Sequence, residues 1–321
     1  MQKSFISDIF RIELFENSKH PDFIKALNIY SKFTPSNIKT DTNDIIFWLE
    51  NYNKKFSDSF FVFGLYKNDK VIGFMQLVYF LKEKFFTVDY ITIDENHRQM
   101  HAFTTFIYLV HSFFEINNYD VNFVVTEVEY DEKIKQPLES GRTLIRLLKQ
   151  HNFGVVKVTY FQPQLGMHNH DSKTSAVLMY FSNNEKKYIS KETYFMILNK
   201  LFYEHYCRWY EPLLTKDEFS EYKNEIDLLY NKIRSNKIKN EIQINGYKNI
   251  FNINYDKKNN SIQNTFVSSL IIFLLLFCLL LLNEYFNVGL FSIASLSILI
   301  VAIFFLIYSL YSNKGLLNLI K

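Results

Sequence analysis

The chain is poor in the residue types that announce common chemistries. Its 321 residues include only two cysteines, Cys207 and Cys278. That is too few for a disulfide framework or a cysteine metal set, and it fits a reducing compartment. Glycine and proline are scarce too, at eight and five. Alongside frequent Asn, Lys, Ile and Phe this reads as an AT-rich coding bias without functional meaning. Neither a P-loop nor a Rossmann glycine fingerprint is present, and no Ser-His-Asp arrangement stands out. Charge of one sign is also missing: 36 basic residues against 33 acidic leave +3 and no basic block. No nucleic acid is therefore expected as a partner.

What is abundant is apolar sequence, and its C-terminal part is distinctive. Phe266 to Leu282 is a run of 17 residues without charge, and Val288 to Tyr311 a run of 24. Each is long enough to cross a hydrocarbon core of roughly 30 Å as a helix. The five residues Asn283 to Asn287 between them make a tight polar turn, so a transmembrane helical hairpin is expected over residues 265–313, with the lipid bilayer as partner. Lys257, Lys258, Lys314 and Lys321 flank it, and its turn has neither Lys nor Arg. Positive charge is retained inside, which predicts a multi-pass protein of the cytoplasmic (inner) membrane with the N-terminal domain and the tail, 314–321, in the cytoplasm. Residues 1–20 lack a secretory signal's continuous apolar core. From Lys232 to Lys258 seven basic residues face two acidic ones, and 241–264 reads as a basic juxtamembrane linker against anionic lipid.

Ahead of it the period alternates between strand and helix. Ile9–Phe15 reads as a strand, Pro21 opens a helix through Tyr30, and Asp41 or Thr42 caps a second. Phe60–Tyr66 and Val71–Phe80 flank the polar turn Lys67-Asn68-Asp69-Lys70 as a hairpin. Phe85–Ile93 is a third consecutive strand, followed by a helix over Ala102–Ile116 and a strand over Val121–Val128. Arg142–His151 is helical, and Val155–Phe161 and Ser175–Phe181 are strands. The order predicts an α+β domain over residues 1–182, a mixed, mostly antiparallel sheet flanked by helices. A helical pair follows over 183–240. Thr215 and Glu218 make a capping box for its second helix, whose apolar spacing over 215–236 packs within the pair or joins two copies in a homo-oligomer. The hairpin is the alternative site of self-association.

Three local sequences carry a resemblance. Phe61-Val62-Phe63-Gly64-Leu65-Tyr66 with Lys70-Val71-Ile72-Gly73-Phe74, then Tyr90-Ile91-Thr92-Ile93-Asp94-Glu95-Asn96-His97-Arg98, then Arg142 to Phe153 with Val155-Val156 occur in order. Over residues 1–182 the chain resembles the GCN5-related N-acetyltransferase (GNAT) superfamily. The resemblance implies acetyl-CoA as co-substrate, with no metal, and an amine acceptor of unknown identity. It implies a coenzyme site at Ile91 and Ile93 of the fourth family strand and at Arg98, Gln99, His101, Ala102 and Phe103 of the loop after it. That loop in the family is Arg/Gln-x-x-Gly-x-Gly/Ala, so backbone amides at a helix start can approach a pyrophosphate. Here Arg98 matches, while His101 and Phe103 stand in the glycine positions. Leu148 stands where many members carry an acidic tyrosine, and Asn152, able to adopt a left-handed cap, replaces the glycine ending that helix.

Amide formation from a thioester needs a base to keep the amine neutral and donors for the developing oxyanion. Asp89, Glu129 and, secondarily, Glu127 are the candidate bases. Tyr130 is the nearest acid in place of Leu148. His168 and His170 are two histidines in one loop, short of a metal set. The expectation is a membrane-anchored acetyl-CoA-dependent N-acyltransferase. The alternatives are a catalytically inactive module that binds acyl-CoA or a partner, and a membrane effector regulated by the soluble domain.

Overall fold

A computed structural model describes residues 4–6, 9–98, 101–129, 139–165, 174–184 and 186–245. The two apolar runs, the basic linker beyond Asn245, Gln99, Tyr130, His168 and His170 lie outside the described residues. Among the described residues no helix is long and apolar enough to cross a membrane.

Strands β1 (Ser4–Ile6) and β2 (Phe10–Phe15) lead into helix α1 (Phe23–Phe33) and helix α2 (Thr42–Lys55), the latter capped by the Asp41 carboxylate on the Asn43 amide. The hairpin of β3 (Ser59–Lys67) and β4 (Lys70–Phe80) turns through Asn68 and Asp69, both at positive φ, as a two-residue connection demands. Gly64 lets the sheet close on Phe15, because a Cβ there would meet that ring at 2.6 Å. Strand β5 (Phe85–Ile93), helix α3 (Ala102–Ile116) and strand β6 (Phe123–Glu129) form a crossover unit, and β5 with β6 is the sole parallel pair among the described strands. Helix α4 (Glu139–Gln150) ends at Asn152 with φ 62°, the left-handed cap expected there.

The strand expected over 155–161 is two strands, β7 (Gly154–Val156) and β8 (Tyr160–Gln162). Both pair antiparallel with β9 (Thr174–Phe181), which β6 flanks on its other side. Alternation alone could not show the break, since Lys157 leaves that ladder and donates to the Gln243 carbonyl.

The last described elements are β10 (Tyr188–Ser190), α5 (Lys191–Asn199), a π-helical segment (Lys200–Cys207), α6 (Arg208–Tyr210), α7 (Lys216–Ser235) and β11 (Glu241–Asn245). β11 pairs with β7 and β10, so the sheet runs β1-β2-β3-β4-β5-β6-β9-β7-β11-β10. The capping box at Thr215 and Glu218 is formed. The apolar face of α7 (Tyr222, Ile226, Leu229, Ile233) is buried in the chain's own core, beside α1, α2 and α5. That face is therefore spent within the chain, and the expectation that it joins two copies is corrected. A second cluster packs α3 onto the opposite face of the sheet through Phe106, Leu109 and Phe113.

Candidate functional site

The site begins where a ladder stops. Parallel pairing of β5 with β6 runs from Phe85 opposite Phe123 to Val88 opposite Thr126 and goes no further. The Thr126 hydroxyl donates to the Val88 carbonyl at 2.8 Å, closing the fork. Beyond it, Asp89–Ile93 and Glu127–Glu129 line a cavity of about 630 Å³. The divergence follows from a bulge: on β4, Leu77 pairs with Val88 and Gln76 with Tyr90, leaving Asp89 unpaired between them. An extra residue bends its strand and shifts the alternation of its side chains. Phe86, Val88, Ile91 and Ile93 consequently face α3. Asp89 and Tyr90 turn towards the α1–α2 side.

On that side a polar cluster is buried. His205 Nε2 lies 3.0 Å from Asp89 Oδ1, and the Gln76 amide donates to Asp89 Oδ2 at 2.9 Å. The Glu127 carboxylate accepts from both the Tyr160 and the Tyr206 hydroxyls, and the Gln162 amide donates to Tyr206. A small void of about 30 Å³ touches Asp89, Glu127, His205 and Tyr206, the room of one water. The buried His205 Nδ1 has no protein partner.

Burial raises the Glu127 carboxyl to about 7, against hydrogen bonds from the two tyrosines that pull the other way. The residue keeps some exposure along the cleft, so a group that changes charge near neutrality faces the fork. For His205 burial opposes the positive charge, but the Asp89 carboxylate, with Glu127 behind it, raises its pKa overall. Burial pushes the Cys207 thiol up to about 12, which leaves it unreactive.

What brings His205 here is the π-helical segment, whose wider turn re-aims side chains. Arg208 holds it through Asp58 at 2.7 Å and Tyr52 at 3.1 Å, and the Trp48 indole donates to the Trp209 carbonyl at 3.0 Å. The α1–α2 connection is fastened to β5: the Tyr90 hydroxyl donates to the Ile38 carbonyl and shares a 2.8 Å hydrogen bond with the Thr40 hydroxyl.

At the other end of the cleft α3 opens at His101, which has φ 56° and whose side chain makes no capping bond. The side chain is not glycine, yet the backbone takes the left-handed turn glycine favours. Ala102 and Phe103 are both buried, and the Phe103 ring lies 6.2 Å from that of His151 at a tilt of 51°. Arg98 Nε donates to the Ile93 carbonyl at 3.0 Å, its guanidinium lies 5.2 Å from the Phe33 ring centre, and it borders the same cavity.

Of the sequence-named residues, Asp89, Ile91, Ile93, Arg98, His101, Phe103 and Glu129 meet around one cavity. Glu129 is buried at its rim and is only 5 % exposed. Asp89 lines the cleft and is also paired with the buried His205. Leu148 is buried where an acid is expected. His205, Tyr160, Tyr206, Gln162 and Gln76 were not legible as site residues, because their places depend on the bulge and the π-helical segment. Among the described residues no group of three or more potential metal ligands occurs.

No protein-family model and no curated protein matches this chain. Solved structures do. One is described as a GNAT-family acetyltransferase of Bacteroides thetaiotaomicron, 16 % identical over 60 % of this chain and 96 % of its own, with a TM-score of 0.45. Another is the acetyltransferase of Salmonella typhimurium that modifies the N-terminal serine of ribosomal protein L7/L12, 8 % identical over 56 % of this chain and 99 % of its own, at 0.42. The ribosomal-protein-S18-alanine N-acetyltransferase of Escherichia coli is 17 % identical over 54 % of this chain and 94 % of its own, at 0.35.

Proposed function

We propose that this chain is an acyl-CoA-dependent N-acyltransferase held at a membrane by its C-terminal apolar hairpin. The observation that carries the reading is the fork between β5 and β6, with an anion-attracting helix start at one end and a carboxyl poised near neutrality at the other. A coenzyme thioester fits those residues. The amides opening α3 and the Arg98 guanidinium suit a pyrophosphate. The edge of β5 that β6 leaves unpaired, at Ile91 and Ile93, would offer main-chain groups to a pantetheine arm. No metal is needed for this chemistry.

Glu127 is the base in this scheme, in preference to Asp89, whose charge is committed to His205. Glu127 takes a proton from the amine as the carbon–nitrogen bond forms and the carbon–sulfur bond breaks. That proton is the one the departing thiolate needs, so the sum is amide plus free thiol. Tyr160 and Tyr206 orient the carboxylate. Their own pKa values are driven well up by burial, so they stay protonated donors. The acceptor is an amine. A panel of amines, with thiol release as the readout, tests the reading: turnover should appear with the parent and fall roughly 10²–10⁴-fold in Glu127→Gln, the usual contribution of a general base. Equal rates in the two would remove Glu127 from the role.

A second reading, a binding module without turnover, is favoured by Leu148 in the place of an acid. Under it the parent binds coenzyme A and releases no thiol with any amine.

A further inference from the structure

Behind the fork, on the α3–α4 face of the sheet, lies a second and larger cavity of about 860 Å³. Leu77, Phe86, Val110, Phe114, Val124 and Leu148 are among its walls, and polar residues such as Glu115, Asp120 and Asn183 also border it. It opens to solvent along a rim where Tyr108, Glu115 and Asp120 are exposed, while its floor on the sheet and its α4 wall are apolar and buried. Its size falls in the range of small-molecule sites, roughly 300–1,000 Å³. It adjoins the cleft: Val88, Ile91, Thr104, Thr126, Leu144 and Gln150 border both spaces. Val88 and Thr126 are also the residues that close the fork. A thioester carbonyl at the fork would thus have the amine and Glu127 on one face of the sheet and an apolar chamber on the other.

Resting on the acyltransferase reading, we infer that the acyl donor carries a saturated aliphatic chain of medium length, seated in this chamber, and is not acetyl-CoA. An acetyl methyl would leave the chamber almost wholly unused. An alkyl chain is the ligand whose chemistry matches: it asks for no hydrogen bond, gains free energy with each methylene buried, and is joined to the carbonyl at the chamber's mouth. Leu148 supports this. It lies where the resemblance leads one to expect a tyrosine, and it presents a side chain without a hydroxyl to the chamber wall.

The test is a titration of the full chain in lipid nanodiscs with coenzyme A and its acetyl, butanoyl, hexanoyl and octanoyl thioesters, against empty nanodiscs. Full burial tightens binding about fourfold per methylene. Octanoyl-CoA should therefore bind at least tenfold more tightly than acetyl-CoA, and the gradient should vanish in Val124→Trp while coenzyme A binding persists. If that variant loses coenzyme A binding as well, Ile107→Trp, filling the chamber from α3, replaces it. A flat series in a parent that binds coenzyme A overturns the inference and leaves the acyltransferase reading standing. A gradient that survives both tryptophans overturns the chamber as its seat. Failure to bind coenzyme A in any form overturns the reading beneath.

Discussion

His205 Nε2 and Asp89 Oδ1 lie 3.0 Å apart with both side chains about one-tenth exposed or less. A buried pair of this kind costs desolvation to assemble, and breaking it strands a charge. His205→Ala should therefore destabilise the fold by about 3–5 kcal/mol, read from denaturant unfolding. Asp89→Asn with His205→Ala together should cost clearly less than the two singles summed. The raised pKa of His205 fixes the pH sign. Its contribution is complete below the ordinary histidine range and is lost as pH climbs through the folded value.

Glu127 acts in the same sense, from a lower starting pH. Its folded value of about 7 lies above that of an exposed glutamate, so the fold binds its proton more tightly than the unfolded chain does. Stability from this group is present at mildly acid pH and declines as pH rises towards 7. Turnover needs the ionised form and should climb over the same interval. Glu127→Gln should flatten the stability profile and abolish the rate limb, which parallel unfolding and rate measurements would resolve.

His101 is an exposed residue held in left-handed backbone. That conformation costs an L side chain about 1–2 kcal/mol, while glycine gives back about 0.4–1 kcal/mol through the unfolded chain. His101→Gly should come out more stable by about 0.5–1 kcal/mol in chemical denaturation, and its coenzyme binding should be no weaker than the parent's. A destabilised glycine variant would show that the imidazole contributes something the backbone does not.

Much of the frame was legible because it is local. The Asp41 and Thr215 caps, the Asn68-Asp69 turn, the full extent of β5 and of α3, and the left-handed Asn152 each follow from a few neighbouring residues. Of the buried polar cluster only Asp89 and Glu127 were, for two physical reasons. One extra residue at Asp89 reverses the facing of everything after it, and no alternation pattern announces that in advance. His205 sits in a stretch that reads as ordinary amphipathic helix; only the π-helical winding, pinned by Arg208 on Asp58, carries it to Asp89. Asp89 was singled out as a candidate base, without its His205 partner.

The hairpin over residues 265–313 is tested by topology reporters. Fusions after Lys321 and in the turn near Glu284 should give opposite readouts, cytoplasmic for the first. An extracytoplasmic signal from the Lys321 fusion would contradict the orientation argued from the flanking lysines.

The coenzyme site at the fork is tested most directly by calorimetric titration of the full chain with coenzyme A. The parent should bind saturably, and Arg98→Ala should weaken binding by about 1.5–3 kcal/mol, the range for a hydrogen bond to a charged group. A parent that takes up no coenzyme A, or an Arg98→Ala variant that binds as well as the parent, would contradict it.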